Sequence, residues 1–235
     1  MAERNAKLIL MVGVLGVSAS AILVRFSQAP SGVTAAYRLG WTVLLLLPVV
    51  LLRCRAELRR VTARDLVLCG ASGVLLALHF LTWFESLKRT SVASSTVLVS
   101  TEVIFTALGF ALFLHGKIPR LGVWAILLAF GGSALLALSG GGGAGGLSGN
   151  LLALAAASAA AVYTLIGRVQ RGHLSTTVYT FLTYLACFLT LLLGTAAAGT
   201  PLTGYGGREW LIGLALAVLC TLLGHSLFSW CLKYL

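Results

Sequence analysis

The sequence predicts an all-α polytopic membrane fold, and three observations lead to it. Hydrophobic residues make up 59% of the 235-residue chain, charged residues only 10%, and the mean hydropathy is +0.99; a soluble domain carries about 25% charged residues. Apolar runs recur at about 20 residues, the helix length that crosses hydrocarbon. Lys and Arg gather between these runs, so the formal net charge of +11 reads as membrane topology. Nucleic-acid binding is excluded on the same grounds, because no stretch interleaves basic residues with exposed aromatics. Of the five cysteines, four lie inside apolar segments, and none forms a Cys-x-x-Cys pair or a zinc spacing. They read as small packing residues. No metal and no cofactor is expected.

Eight spans are predicted, at Leu8–Val24, Ala35–Leu52, Leu66–Leu87, Ser91–Leu114, Leu121–Ser139, Leu151–Gly167, Thr176–Ala198 and Trp210–Leu232. The first has a basic start and a small-residue run, VSASA, but is long for a signal-peptide core, and cleavage would strand the second span. The second is followed by the basic loop RCRAELRRVTAR, which sets the orientation. With the N-terminus in the cytoplasm, twelve Lys and Arg fall inside and four outside (Arg25, Lys88, Arg89 and Arg208), while Arg38 is intramembrane. The glycine run SGGGGAGGLSG at 139–149 follows the fifth span. It follows no strand and matches no phosphate-binding loop, so it reads as a flexible linker.

The chain partly repeats itself. AILVRFSQ closes the first span and TLIGRVQR the sixth, placing Arg25 and Arg168 143 positions apart; Thr34 and Thr177 share that offset, and Leu87 and Leu232 lie 145 apart. Five spans per unit is an odd number, so the two units should face opposite ways across the membrane, an inverted five-plus-five repeat. Residues 1–139 form the first unit, 140–149 the linker, and 150–235 a second unit of three helices. Counterparts of the fourth and fifth spans would need about 50–60 more residues, so a truncated product or fragment is expected, the alternative being a protein that functions with eight helices.

The segments GVSASAILVRFSQAPSGVTAAYRL, SVASSTVLVSTEVIFTALGFALFLHGKI, LLALAAASAAAVYTLIGRV and GHSLFSWCLKYL, in that order, resemble the EamA-type transporters of the drug/metabolite transporter superfamily. The resemblance covers nearly the whole chain. It implies ten helices with both termini cytoplasmic, and export or exchange of small metabolites such as amino acids, nucleosides or drug-like compounds.

Ionisable groups inside a span are expensive and mark candidate sites. Arg38 lies about four residues, roughly 6 Å, from the outer end of the second span, with Thr34 and Thr42 on its face. It serves an inward-facing role or lifts its guanidinium to the interface; Glu85, in the outer turn of the third span, is its expected partner. Glu102 falls about 16 Å into the fourth span, too deep to reach water. Ser91, Ser95 and Thr106 lie within roughly 40° of it on a helical wheel. It is a candidate coupling site for protons, the alternative being an interhelical hydrogen bond. His79 and His225 sit on corresponding spans, and Trp83 continues the His79 face; Tyr37, Trp41 and Tyr163 are candidate aromatic cavity walls.

The expected function is an integral membrane carrier, an exporter or exchanger of small metabolites or drug-like solutes by alternating access, with proton coupling through Glu102. Its place is the cell (inner) membrane, and its partners are a small-molecule substrate and the lipid bilayer, with a homodimer left open. Two alternatives stand beside it. One is a non-transporting fragment or subunit that needs a partner. The other is a membrane-embedded enzyme, which would need clustered aspartates for Mg²⁺ or a His-Glu ligand set; the chain has a single aspartate, Asp65, at a helix entrance.

Overall fold

A computed structural model describes residues 2–139 and 146–226, with side chains at 11, 13–132, 134–135 and 146–224. Every regular element among them is helical: α1 (Ala2–Phe26), α2 (Ser31–Arg53), α3 (Arg55–Leu58), α4 (Ala63–Arg89), α5 (Val92–Ser100), α6 (Glu102–Phe113), α7 (Arg120–Ser139), α8 (Leu147–Gln170), α9 (Thr176–Ala197) and α10 (Gly207–Ala215), which runs into a π-helical segment, Leu216–Ser226. Hydrocarbon offers backbone groups no partner, and a helix satisfies them internally.

Six helices among the described residues are long and apolar enough to cross a membrane: α2, α4, α5 with α6, α8, α9, and Gly207–Gly224. Shorter apolar stretches, Gly13–Phe26 and Arg120–Gly132, lie in α1 and α7, where the first and fifth spans were expected.

Two predicted spans are not continuous α-helix. The fourth breaks at Thr101, whose hydroxyl donates to the Leu98 carbonyl at 2.6 Å. That bond takes an acceptor the helical ladder would use, so the chain can turn without leaving it bare in lipid. The last span widens into the π segment, where the Thr221 hydroxyl donates to the Leu216 carbonyl at 3.3 Å. Helix α2 starts at Ser31 behind Pro30, four residues earlier than expected. Proline suits that position because the first helical residues need no N–H partner.

The core combines aromatic and leucine side chains, such as Phe80, Phe84, Tyr179 and Leu191, with a set of buried polar groups and a seam of small residues. On α8, Ala153, Ala156, Ala157, Ala160 and Ala161 form a buried stripe against α4, the most extensive helix pair in the structure. Large side chains such as Leu52, Val67, Phe113, Leu121 and Leu193 point outward, as lipid-facing residues do. Helix α9 packs on both α2 and α4, α10 on α2, and the π segment on α1.

Glycine decides how closely α4 meets α9. A Cβ at Gly73 would stand 2.7 Å from the Thr183 carbonyl oxygen and 2.8 Å from the Cys187 amide nitrogen, while one at Gly70, a turn away, meets nothing within 4 Å. Gly73→Ala is expected to destabilise the bundle by about 1–3 kcal/mol, because two backbones must part. Gly70→Ala should be neutral or stabilising by up to about 1 kcal/mol. Thermal unfolding of both variants in detergent checks this; equal midpoints would contradict the close approach.

Candidate functional site

Arg38 is the largest fully buried side chain, with no exposure. It lies seven residues into α2, about 10 Å from the helix start. Its Nε donates to Thr221 Oγ1 at 2.8 Å and its Nη1 to Ser20 Oγ at 3.2 Å. The guanidinium carbon sits 4.3 Å from the centroid of the Phe80 ring, a cation–π distance. Nη2 is buried and has no hydrogen-bond partner among the described residues. Four elements thus meet at one charge: α1 through Ser20, α2 through Arg38, α4 through Phe80, and the π segment through Thr221.

The expected pairing of Arg38 with Glu85 does not form. Glu85 accepts from Ser31 Oγ at 2.9 Å and pairs with Arg89 on its own helix, 2.8 Å away. The reason is depth. The early start of α2 puts Ser31 level with Glu85, and Arg38, two turns further in, is level with Phe80. Thr34 and Thr42 serve the backbone and the helix end rather than the guanidinium: Thr42 donates to the Arg38 carbonyl, and Thr34 bonds Ser27 and the Pro30 carbonyl.

His79 is buried, and its Nδ1 lies 3.0 Å from the Ala156 carbonyl of α8. A carbonyl only accepts, so Nδ1 carries the proton. Trp83 stacks on this imidazole at 5.9 Å, with its Nε1 buried and unpartnered. Tyr163 is buried in the main core on α8. Tyr37 lies apart from these, near the start of α2: its hydroxyl donates to the Leu202 carbonyl at 2.7 Å and its ring stacks on Trp210 at 4.0 Å. With Trp41, Phe188 and Trp210 it lines an apolar cavity of about 240 Å³. The His225 side chain lies outside the described residues.

Glu102 is the first residue of α6, just past the break at Thr101, and accepts from Thr164 Oγ1 of α8 at 3.0 Å. The polar stripe expected around it is divided. Ser91 caps α5, Ser95 accepts from Ser86, and Thr106 Oγ1 is buried without a partner.

Sequence reading passed over two carboxylates that tie helix ends together. Asp65 stands third in α4 and closes a capping box with Thr62. It also accepts from His173 Nε2 at 2.6 Å and Gln170 Nε2 at 3.2 Å, beyond and at the end of α8. Glu209 stands third in α10 and accepts from Ser27 Oγ at 2.6 Å and the Gln28 amide at 3.0 Å, just past α1. Both are buried. Asp65 lies at the end of the bundle that carries the basic α2–α4 connection, and Glu209 lies at the opposite end, where α1 closes and α2 begins. The signal was present in TARDLVL and GGREWLI, which place Arg64 and Asp65 144 positions before Arg208 and Glu209. Gln170 and Ser27 are likewise 143 apart.

The sequence model of the EamA-like transporter family matches residues 5–138 and, a second time, 147–235. The chain belongs to that family and is a multi-pass membrane protein. A protein of known crystal structure superposes with a TM-score of 0.70 at 20% identity, covering 98% of this chain and 79% of its own, which shows a shared fold. No curated protein matches the sequence.

The Thr221 hydroxyl holds both Arg38 and the π turn. Thr221→Val is therefore expected to cost about 1–3 kcal/mol, the penalty of stranding a buried donor. Thr82→Val removes an exposed hydroxyl bonded only to its own helix and should stay within about 0.5 kcal/mol. Unfolding midpoints of the two variants decide it.

Proposed function

We propose that the chain is a carrier that moves a small polar or amphipathic metabolite across the cell (inner) membrane by alternating access, as an exporter or exchanger. The first unit, residues 1–139, rocks against the second, residues 150–235, with the glycine-rich 140–149 segment between them. The basic end faces the cytoplasm. The observation that carries this reading is the pair of carboxylate ties, Asp65 to Gln170 and His173 at one end, and Glu209 to Ser27 and Gln28 at the other. Each joins the third helix of one unit to the end of the first helix of the other. An alternating-access carrier needs one closure on each side of the membrane, and an inverted repeat supplies both from one design. The packing supports the same relation, because α4 lies along α8 as the π segment lies along α1, and α4 meets α9 as α10 meets α2.

A second observation supports proton coupling. Glu102 lies about 15 Å into its span, at a helix break, with one hydroxyl partner. Such a carboxyl is suited to taking up and releasing a proton as α6 moves against α8.

Transport itself is tested by uptake and efflux of a metabolite panel in reconstituted vesicles, where movement of no solute above protein-free vesicles would refute it. The ties are tested through Cys69, buried one turn from Asp65 and approached by Gln170 Nε2 at 3.9 Å. In a background carrying Cys54→Ser and Cys231→Ser, Asp65→Asn is expected to raise the maleimide reactivity of Cys69 several-fold. Glu209→Gln, loosening the other end, should leave it unchanged or slower. Equal acceleration by both would mean general loosening rather than two gates.

Glu102→Gln is expected to abolish uptake driven by a pH gradient while solute-for-solute exchange persists. Gradient-driven uptake that survives the substitution would remove Glu102 from the coupling step.

A further inference from the structure

The geometry points to Arg38 as the receptor for a carboxylate, making the cargo a small monocarboxylate; we infer this on the basis of the carrier reading above, whose substrate class it names. The guanidinium has no exposure, and its partners are two hydroxyls and an aromatic ring, all uncharged. Of the six acidic side chains, five are described, and each is engaged elsewhere. Glu57 accepts from the Ser175 amide, Asp65 from Thr62, Gln170 and His173, and Glu85 from Ser31 and Arg89. Glu102 accepts from Thr164, and Glu209 from Ser27 and Gln28. Among the described residues no carboxylate neutralises Arg38. Arginine cannot shed its proton, and an unpaired charge held from water is strongly unfavourable. A bundle that retains one has a use for it, and an anionic ligand is the complement that removes the penalty.

The uncommitted part of the guanidinium has a defined shape. Thr221 fixes Nε, Phe80 covers one face, and Ser20 holds Nη1 at the longer distance of 3.2 Å. What remains is Nη2 and the edge it shares with Nη1, the edge that grips a carboxylate through two parallel N–H···O bonds. The charge count favours a monoanion. Arg25 donates to the Leu87 carbonyl, Arg168 lies over Phe110, and Arg171 over Tyr179. Among the described residues no second lysine or arginine is held at this edge, so a dianionic phosphate would find no further permanent cation there. Trp83, one turn beyond Phe80 on α4, adds a second buried donor without a partner, and its stack with His79 is a flat wall. A solute with a planar or apolar body next to its carboxylate matches that surface. Parting α1, α4 and the π segment would uncover the charge, and the arriving anion would neutralise it.

The test compares paired probes that differ only in charge, benzoate with benzamide and hexanoate with hexanamide. Binding is measured by calorimetry on the full chain in nanodiscs, and uptake in vesicles. Wild type should bind at least one carboxylate more tightly than its amide, by a factor on the order of 10 to 100, the range for a charge-assisted pair. Arg38→Gln should erase that ratio, and Arg38→Lys, which keeps the charge but not the fork, should fall between. Amides binding as well as the carboxylates, no binding of any carboxylate, or a ratio unchanged in a folded Arg38→Gln protein would each overturn the assignment. If Arg38→Gln does not fold, Arg38→Lys carries the assignment, and a carboxylate-to-amide ratio unchanged from wild type in that variant overturns it. Carboxylate binding without vesicle uptake would leave Arg38 as the receptor and count against the carrier reading instead. Uptake without charge preference would do the reverse.

Discussion

A guanidinium sealed from water lies where α1, α2, α4 and the π segment meet, and the neighbouring structure is arranged around it. Arg38 cannot lose its charge, so the bundle supplies what partial compensation it can: two hydroxyls from different helices and the face of a phenyl ring. The Thr221 contact comes from a π turn, where the widened ladder and the threonine hydroxyl are served by the same group. Elements distant in sequence are thereby held to one charge. Such a joint excludes water only while these elements stay in contact.

The same economy of polar groups governs the ends of the bundle. The carboxylates of Asp65 and Glu209 each occupy the third position of a helix, where unsatisfied amides and the helix dipole favour negative charge. Each then reaches across to the end of another helix. Between the ends, the α8–α4 seam is built of alanines, which let backbones approach until His79 can donate to the Ala156 carbonyl. The helices are thus held by a tight apolar seam at the middle and by polar ties at the ends.

Much of this was legible in the sequence. The all-helical class, six of the eight expected spans and the basic loop after α2 followed from composition and spacing, and the family match falls on two segments separated at 139–146, in keeping with the offsets of 143–145. The Asp65 and Glu209 ties were within reach as well, since TARDLVL and GGREWLI carry the same offset. They were passed over because a single carboxylate at a helix start is also what ordinary capping requires. Glu102 stands out in the sequence by its depth and its polar neighbours on the helical wheel, but its Thr164 partner comes from another helix and has no signature in spacing.

What the sequence determined by itself is what hydrocarbon imposes locally: which stretches must be helical, roughly where they end, and which charges are too deep to be incidental. What only the tertiary structure decided is who meets whom. A shift of four residues in the start of α2 moves Arg38 from the level of Glu85 to that of Phe80, and a hydroxyl at Thr101 breaks a span that reads as continuous. The reason is geometric. Helical periodicity fixes the direction of a side chain relative to its own axis, but its depth and its neighbours depend on the relative slide and rotation of whole helices, which are set by close contacts such as Gly73 against α9.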